Sequence, residues 1–311
     1  MKYITTASIS GFSFDVGSDW HLPPDRLEVL NSFPDHIKSQ QGSDILFCVG
    51  DVIETSDGLN SSAHISKLLD GLSDLYKVII FTPGNHDLRG RNNPWSDFAN
   101  LPKNVYTTST NSYGYRVLDL YDLHKDLPNL RILVADLFYD MKFLNPSILD
   151  ISDGELIAQY RESNDGKHFL NGDIANFSHM AHHVRVRLDS SIDMLVTHSL
   201  PHPSLVTFRV AQITEEIEEK QKILGIPFIC DPDHDTQEAS RWNSTPERYR
   251  QWWNIKSFFM GSDVLSTTNF KDGLICVYGH NHRSNQSPAI INNKKVHFVS
   301  HQPCPWKTNY Q

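Results

Sequence analysis

Apolar-rich runs recur along the chain at residues 45–49, 78–81, 131–135, 194–197 and 274–278, broken only by Arg131 at the start of one and Thr197 at the end of another. Runs this short, stopped by Gly, Pro or a polar residue, read as strands buried on both faces. A further strand is written differently, with Phe12, Phe14 and Val16 alternating with Ser13, Asp15 and Gly17. Between the early strands the period becomes helical. Leu27, Leu30 and Ile37 share one face after Pro23 and Pro24, with Pro34 expected to break it. Ser62 is placed to cap a second helix carrying Ile65, Leu68, Leu69, Leu72 and Leu75 on one side. Strand, helix, strand, helix, strand over the first ninety residues implies crossover connections and therefore parallel strands. Their carboxyl ends then share one edge of the sheet, where open α/β proteins place their sites.

Further on, residues 104–120 read as a hairpin around Gly114, and 153–161 as a helix. Ile174, Phe177, Ala181, Val184 and Leu188 mark another helix; His179, His182 and His183 fall on its other faces and read as surface histidines. The composition changes over 205–270, expected to be a helical, aromatic-rich insertion, a lid or an interface, within a single domain spanning 1–311. There Thr214 caps a helix with Ile217, Gln221 and Leu224 that Gly225 closes, and residues 231–235 read as an acidic turn. Ser244 and Glu247 form a capping box, with Pro246 opening a helix that holds Tyr249, Trp252, Trp253 and Phe259. Residues 289–291 and 296–300 form a closing hairpin over Asn292-Asn293.

Composition narrows the choices. At 311 residues, 39% apolar and 11% aromatic, the chain can build a large α/β core. A net charge of −9 argues against an extended nucleic-acid surface. The four Cys lack C-x-x-C spacing, and Cys48 and Cys276 sit in apolar runs, so free thiols in a reducing compartment are expected. The N-terminus is too polar for a signal segment and no stretch has membrane-spanning length, which points to a cytoplasmic protein without a membrane partner.

The chemistry lies at the strand exits. The first carries Asp19 and His21, two apart and so on one side of an extended segment. The next carries Gly50-Asp51, with Glu54 three residues on. The third is Gly84-Asn85-His86-Asp87, followed by Arg89 and Arg91, either substrate-phosphate contacts or solvated loop arginines. His198 follows Thr197, with His202 close behind, and the last exit reads Gly279-His280-Asn281-His282. An Asp-x-His alone is incidental in most proteins, and a single Asp at a strand end is an ordinary turn residue; the signal is the agreement of five exits.

In order and spacing, Asp19-Trp20-His21, Gly50-Asp51, Gly84-Asn85-His86-Asp87, His198 and Gly279-His280-Asn281-His282 resemble the calcineurin-like metallophosphoesterase superfamily. Two departures are Thr197 in place of the usual Gly and a long stretch between His198 and His280. The resemblance implies a four-layer sandwich of two mixed β-sheets flanked by helices, and two divalent ions, Mn, Fe or Zn. Asp19, His21, Asp51 and His282 would hold one ion, and Asp51, Asn85, His198 and His280 the other, with Asp51 bridging. It implies a hydrolase that cleaves a phosphoester with a dinuclear-metal-activated hydroxide. His86 would stabilise the transition state or protonate the leaving oxygen, oriented by Asp87 or Glu54. Arg89 and His202 would contact substrate. A phosphodiester or a small nucleotide is the favoured substrate, because aromatics in 205–270 could stack on a base. The alternatives are a protein phosphatase, a nuclease or a non-catalytic scaffold of the same fold.

Overall fold

The computed structural model describes residues 2–54, 62–88, 101–108, 114–136, 143–144, 151–163, 166–167, 174–281 and 285–301. Five strands, β1 (Thr5–Ile9), β2 (Phe12–Gly17), β3 (Ile45–Cys48), β4 (Val78–Phe81) and β5 (Val105–Thr107), form the first sheet in chain order. β2 to β5 are parallel, and β1 covers the edge of β2 as an antiparallel neighbour. The second sheet holds β6 (Tyr115–Asp119), β7 (Arg131–Ala135) and β8 (Met194–Thr197). After a short parallel pair, β9 (Phe208–Arg209) and β10 (Phe228–Ile229), it continues with β11 (Leu274–Tyr278), β12 (Asn285–Ile291) and β13 (Lys294–Ser300). Its order is β12-β13-β11-β8-β7-β6, parallel across β13, β11, β8 and β7 and antiparallel at both edges. Pro288 lies on the outermost strand, β12, where a missing ladder donor is tolerated.

The continuous apolar runs are explained by two cores. Alternate residues, Phe14, Val16, Ile45, Phe47, Val78 and Ile80 of the first sheet and Ile132, Val134, Met194, Val196, Ile275 and Val277 of the second, pack together between the sheets. The intervening residues, among them Leu46, Cys48, Ile79, Phe81, Leu133, Leu195 and Cys276, face outward into a second core. Helices α1 (Leu27–Lys38) and α2 (Ser62–Ser73) join that core through Leu30, Phe33, Ile37, Ile65, Leu68, Leu69 and Leu72. The result is the expected mixed α/β architecture of two mixed sheets flanked by helices.

Several local expectations are corrected. Pro34 sits inside α1 without ending it: the buried face outweighs one lost hydrogen bond, and the Pro34 ring packs where Gly71 of α2 has no side chain. Residues 104–120 are not a hairpin; β5 pairs with β4 in the first sheet and β6 with β7 in the second. After α3 (Asn85–Leu88), α4 (Leu120–Leu123), α5 (Asp153–Glu162) and α6 (Ile174–Arg187), the stretch before β11 contains α7 (Glu215–Leu224), α8 (Pro232–Arg241) and α9 (Pro246–Ser257). Thr214 caps α7 and left-handed Gly225 ends it, as read from sequence. The acidic turn at 231–235 instead opens α8: Asp231 caps it, and Asp235 is buried against Arg209 at 2.6 Å and Arg250 at 3.3 Å. Thr245, not Ser244, caps α9, and Phe259 lies beyond its end. Cys48, Cys230 and Cys276 are free thiols. Among the described residues no helix is long and apolar enough to cross a membrane.

Candidate metal centre

The loops leaving β2 and β3 continue side by side past the ends of their strands. Asp19 N donates to Gly50 O, His21 N to Asp51 O and Leu22 N to Val52 O, each at 2.9 Å. Trp20 turns into the core, where its Nε1 donates to Tyr3 O at 2.7 Å, so the flanking Asp19 and His21 turn the other way. The segment is not the extended one inferred from sequence. Asp19, His21, Asp51 and His280 all have left-handed backbone, with φ of 52°, 47°, 53° and 67°. Such a conformation costs a non-glycine residue roughly 1–2 kcal/mol and concentrates at functional sites.

Asp51 lies at the centre. Its Oδ1 accepts the His86 backbone N–H at 2.8 Å. Its Oδ2 lies 3.5 Å from His198 Nε2 and 3.9 Å from the Nε2 atoms of both His21 and His86. Burial opposes its ionisation, but His198, His86 and His21 hold the carboxyl well below the usual range. Burial raises Asp19 instead, to about 6. The Asp19 carboxylate accepts the His280 amide at 3.1 Å, which joins the two sheets.

His198 shows what the pocket is built to hold. Its Nδ1 donates to Val49 O at 2.7 Å, a carbonyl that can only accept, so in the neutral ring Nε2 carries a lone pair. That atom faces Asn85 Oδ1 at 3.1 Å, His280 Nδ1 at 3.2 Å and Asp51 Oδ2 at 3.5 Å. Oxygen and nitrogen atoms with lone pairs thus converge on one buried point, an arrangement that suits a positive charge. Burial disfavours a charged His198, yet Asp51 and Asp19 raise it to about 10, so a positive charge is favoured here. Among the described residues, two groups have ligand atoms close enough for one ion each: Asp51, His198 and His280, and His21, Asp51 and His86. Both include Asp51. The mixture of imidazole, carboxylate and amide oxygen fits transition metals.

Glu54 faces His86, with Oε1 3.0 Å from His86 Nδ1. Its Oε2 lies 2.7 Å from His21 Nδ1. Burial would raise Glu54, but these two imidazoles lower it well below the ordinary carboxylate range. Asp87 accepts backbone amides. It is fully buried, with Oδ1 accepting the Val52 and Ile53 amides at 3.1 and 3.3 Å and Oδ2 the Gly84 amide at 2.9 Å. These bonds brace the loops behind the centre. His202 is likewise engaged locally: its Nδ1 accepts Ser204 N at 3.1 Å and caps a short turn at Pro203–Leu205. His179 and His182 are exposed on α6, and neither they nor His183 belong to the two ligand groups. His282, Arg89 and Arg91 lie outside the described residues.

One buried residue escaped the sequence reading. Asp136 is the first residue after β7, level with His198 beside it, because Ala135 pairs with Thr197. Its Oδ1 accepts the Thr82 hydroxyl at 3.1 Å and the Thr108 hydroxyl. The available signal was position alone, an acidic residue ending an apolar run, with no neighbouring His or Gly to mark it.

The model of the calcineurin-like phosphoesterase family matches residues 12–172, more than half of the chain. The chain belongs to this family. The match takes in Asp19, His21, Asp51, Asn85 and His86, while His198 and His280 lie beyond it. No curated protein matches this phosphoesterase. Among solved structures, phosphopantetheinyl hydrolase from Mycobacterium tuberculosis is 18% identical, with a TM-score of 0.51 over 96% of this chain and 92% of that one. That likeness is one of fold. A 5'-nucleotidase precursor from Thermus thermophilus is 11% identical (TM-score 0.32, 97% of this chain and 46% of that one). The NAD nucleotidase of Haemophilus influenzae is 12% identical (TM-score 0.33, 96% and 42%). This chain thus spans less than half the length of either nucleotidase.

Proposed function

We propose that this phosphoesterase hydrolyses its substrate with two divalent ions, Mn, Fe or Zn, held on either side of Asp51. The observation that carries the reading is Asp51 itself, a buried carboxylate common to two separate groups of ligand atoms. Asp19, His21, Asp51 and, by motif, His282 would hold one ion; Asp51, Asn85, His198 and His280 the other. When bound, the ions supply Lewis acidity and a nucleophile at neutral pH. Around them the chain orients and neutralises. Asp19 and Asp51 offset two of the four positive charges, so the cleft keeps an attraction for phosphate in a protein of net charge −9.

His86 does the proton work. The Glu54 contact makes Nδ1 the donor to Glu54 and turns Nε2 toward Asp51 and the cleft. From there Nε2 is placed to hydrogen-bond the phosphoryl oxygens or to give a proton to the leaving oxygen. Residues 205–270 serve as a lid: they begin just past His198 and end before β11, and a bridge between Leu200 and Gly261 ties the two ends. Within the lid, Trp253 is a core residue, donating to Thr207 O at 2.9 Å, whereas Trp242 and Trp252 are exposed with rings 6.5 Å apart. That exposed pair favours a phosphodiester or small nucleotide that offers a base to stack on. Metal-stripped protein is expected to lose aryl phosphate hydrolysis and to regain it with Mn²⁺; full activity without metal would reject the mechanism. Faster turnover of a bis-aryl than a mono-aryl phosphate would support the diester reading, and the reverse would reject it.

A further inference from the structure

The ligands of the second ion come from both sheets: Asp51 and Asn85 follow strands of the first, His198 and His280 strands of the second. One ion can touch Asn85 Oδ1 and His198 Nε2 only if those sheets keep their separation at this edge, since ligand distances near 2.0–2.2 Å leave little slack. Apolar packing between the sheets is non-directional and sets that separation loosely. Asp136 supplies direction. Thr82 is the first residue after β4, three before Asn85, and Thr108 the first after β5. Their two hydroxyls, both from the first sheet, converge on Asp136 Oδ1 of the second. Thr82 Oγ1 also lies 3.3 Å from Ala135 O, and Asp136 N donates to Gly114 O at 2.8 Å. All three side chains are buried, and among the described residues Asp136 Oδ2 has no hydrogen-bond partner. A buried carboxylate satisfied at one oxygen is a costly way to join two sheets that apolar residues could join more cheaply. Its presence is explained if the geometry it enforces matters.

We propose that Asp136 is a positioning residue of the metal centre, a clamp that fixes β4, the strand leading to Asn85, against β7, the neighbour of the strand leading to His198. The clamp acts through the hydrogen bonds of Oδ1 with Thr82 and Thr108 and does not touch substrate. This inference rests on the two-ion reading. It is tested on full-length protein loaded with Mn²⁺ and dialysed, with metal content measured by elemental analysis and folding by thermal melting. Wild type is expected to keep about two ions. Asp136→Ala is expected to keep about one, with affinity for the second at least roughly tenfold weaker. Asp136→Asn, which retains an acceptor for both hydroxyls, is expected to restore two. Should Asp136→Ala fail to fold, Thr82→Val and Thr108→Val remove the donors while leaving the carboxylate, and loss of one ion is expected there too. Two ions at unchanged affinity in the folded Asp136→Ala protein or in the threonine variants, or Asp136→Asn behaving like Asp136→Ala, would overturn the clamp alone. Wild type without bound metal would overturn the two-ion reading and the clamp with it.

Discussion

Residues that look alike in sequence take different roles at this centre according to what else their atoms must satisfy. Asp87 and Glu54 both stood within reach of His86 on paper. Asp87 accepts three backbone amides, while Glu54 places a carboxylate oxygen 3.0 Å from His86 Nδ1. Because Glu54 touches His21 as well, its loss would disturb the proposed metal ligand and the proposed proton donor together. His86→Ala is therefore expected to lower kcat by about 10²–10⁴ with both ions retained. Glu54→Gln is expected to lower kcat by roughly 10–100-fold and to weaken metal binding as well. Elemental analysis beside steady-state kinetics separates the two; metal loss in His86→Ala would assign it as a ligand.

At the scale of elements, the site is made by turns that leave the ends of parallel strands and pack on one another without side chains between them. A Cβ on Gly84 would stand 2.2 Å from Asp51 Oδ1 and 2.5 Å from Asp51 N. The second of these is backbone, already held in the ladder of exits. Gly50, at φ of 80°, presses on Gly84 N in turn, where a Cβ would come within 2.4 Å. Gly84→Ala should thus destabilise the protein by about 1–3 kcal/mol and release metal, read from urea melts and metal content. A variant of wild-type stability with two ions would show that these turns have more room than their geometry implies.

For the whole molecule, the centre is a seam between two sheets whose shared interior is apolar, and polar ties across it are few and buried. Asp136 is one, and burial raises its carboxyl to about 7 despite the pull of the Thr108 and Thr82 hydroxyls and His198. In metal-free protein this has a definite sign. Below pH 3.8 the group is protonated whether the chain is folded or not. Between 3.8 and about 7 the unfolded chain releases the proton while the folded one keeps it, so stability falls as pH rises, then levels off. The loss amounts to at most about 4 kcal/mol. Denaturant melts across pH 4–8 should show wild type losing stability relative to Asp136→Asn over that window; parallel profiles would mean that Asp136 ionises normally.

The sequence by itself determined the strands now labelled β2, β3, β4, β7, β8 and β11, the parallel run of β2, β3 and β4 and the polar residues at the strand exits. These are written in local period and in glycine and proline punctuation, which depend on neighbours a few residues away. It also showed Asp19, His21, Asp51, Asn85, His86, His198 and His280 as one constellation, because each stands at the same place in a repeated strand-to-turn pattern. Tertiary structure alone decided that β5 and β6 part into different sheets, that Asp235 enters a buried ion pair, that Glu54 meets His86, and that Asp136 joins the seam. Each of those outcomes is a choice of partner between segments distant along the chain. Local periodicity records which face of an element is buried and carries no term for what it is buried against.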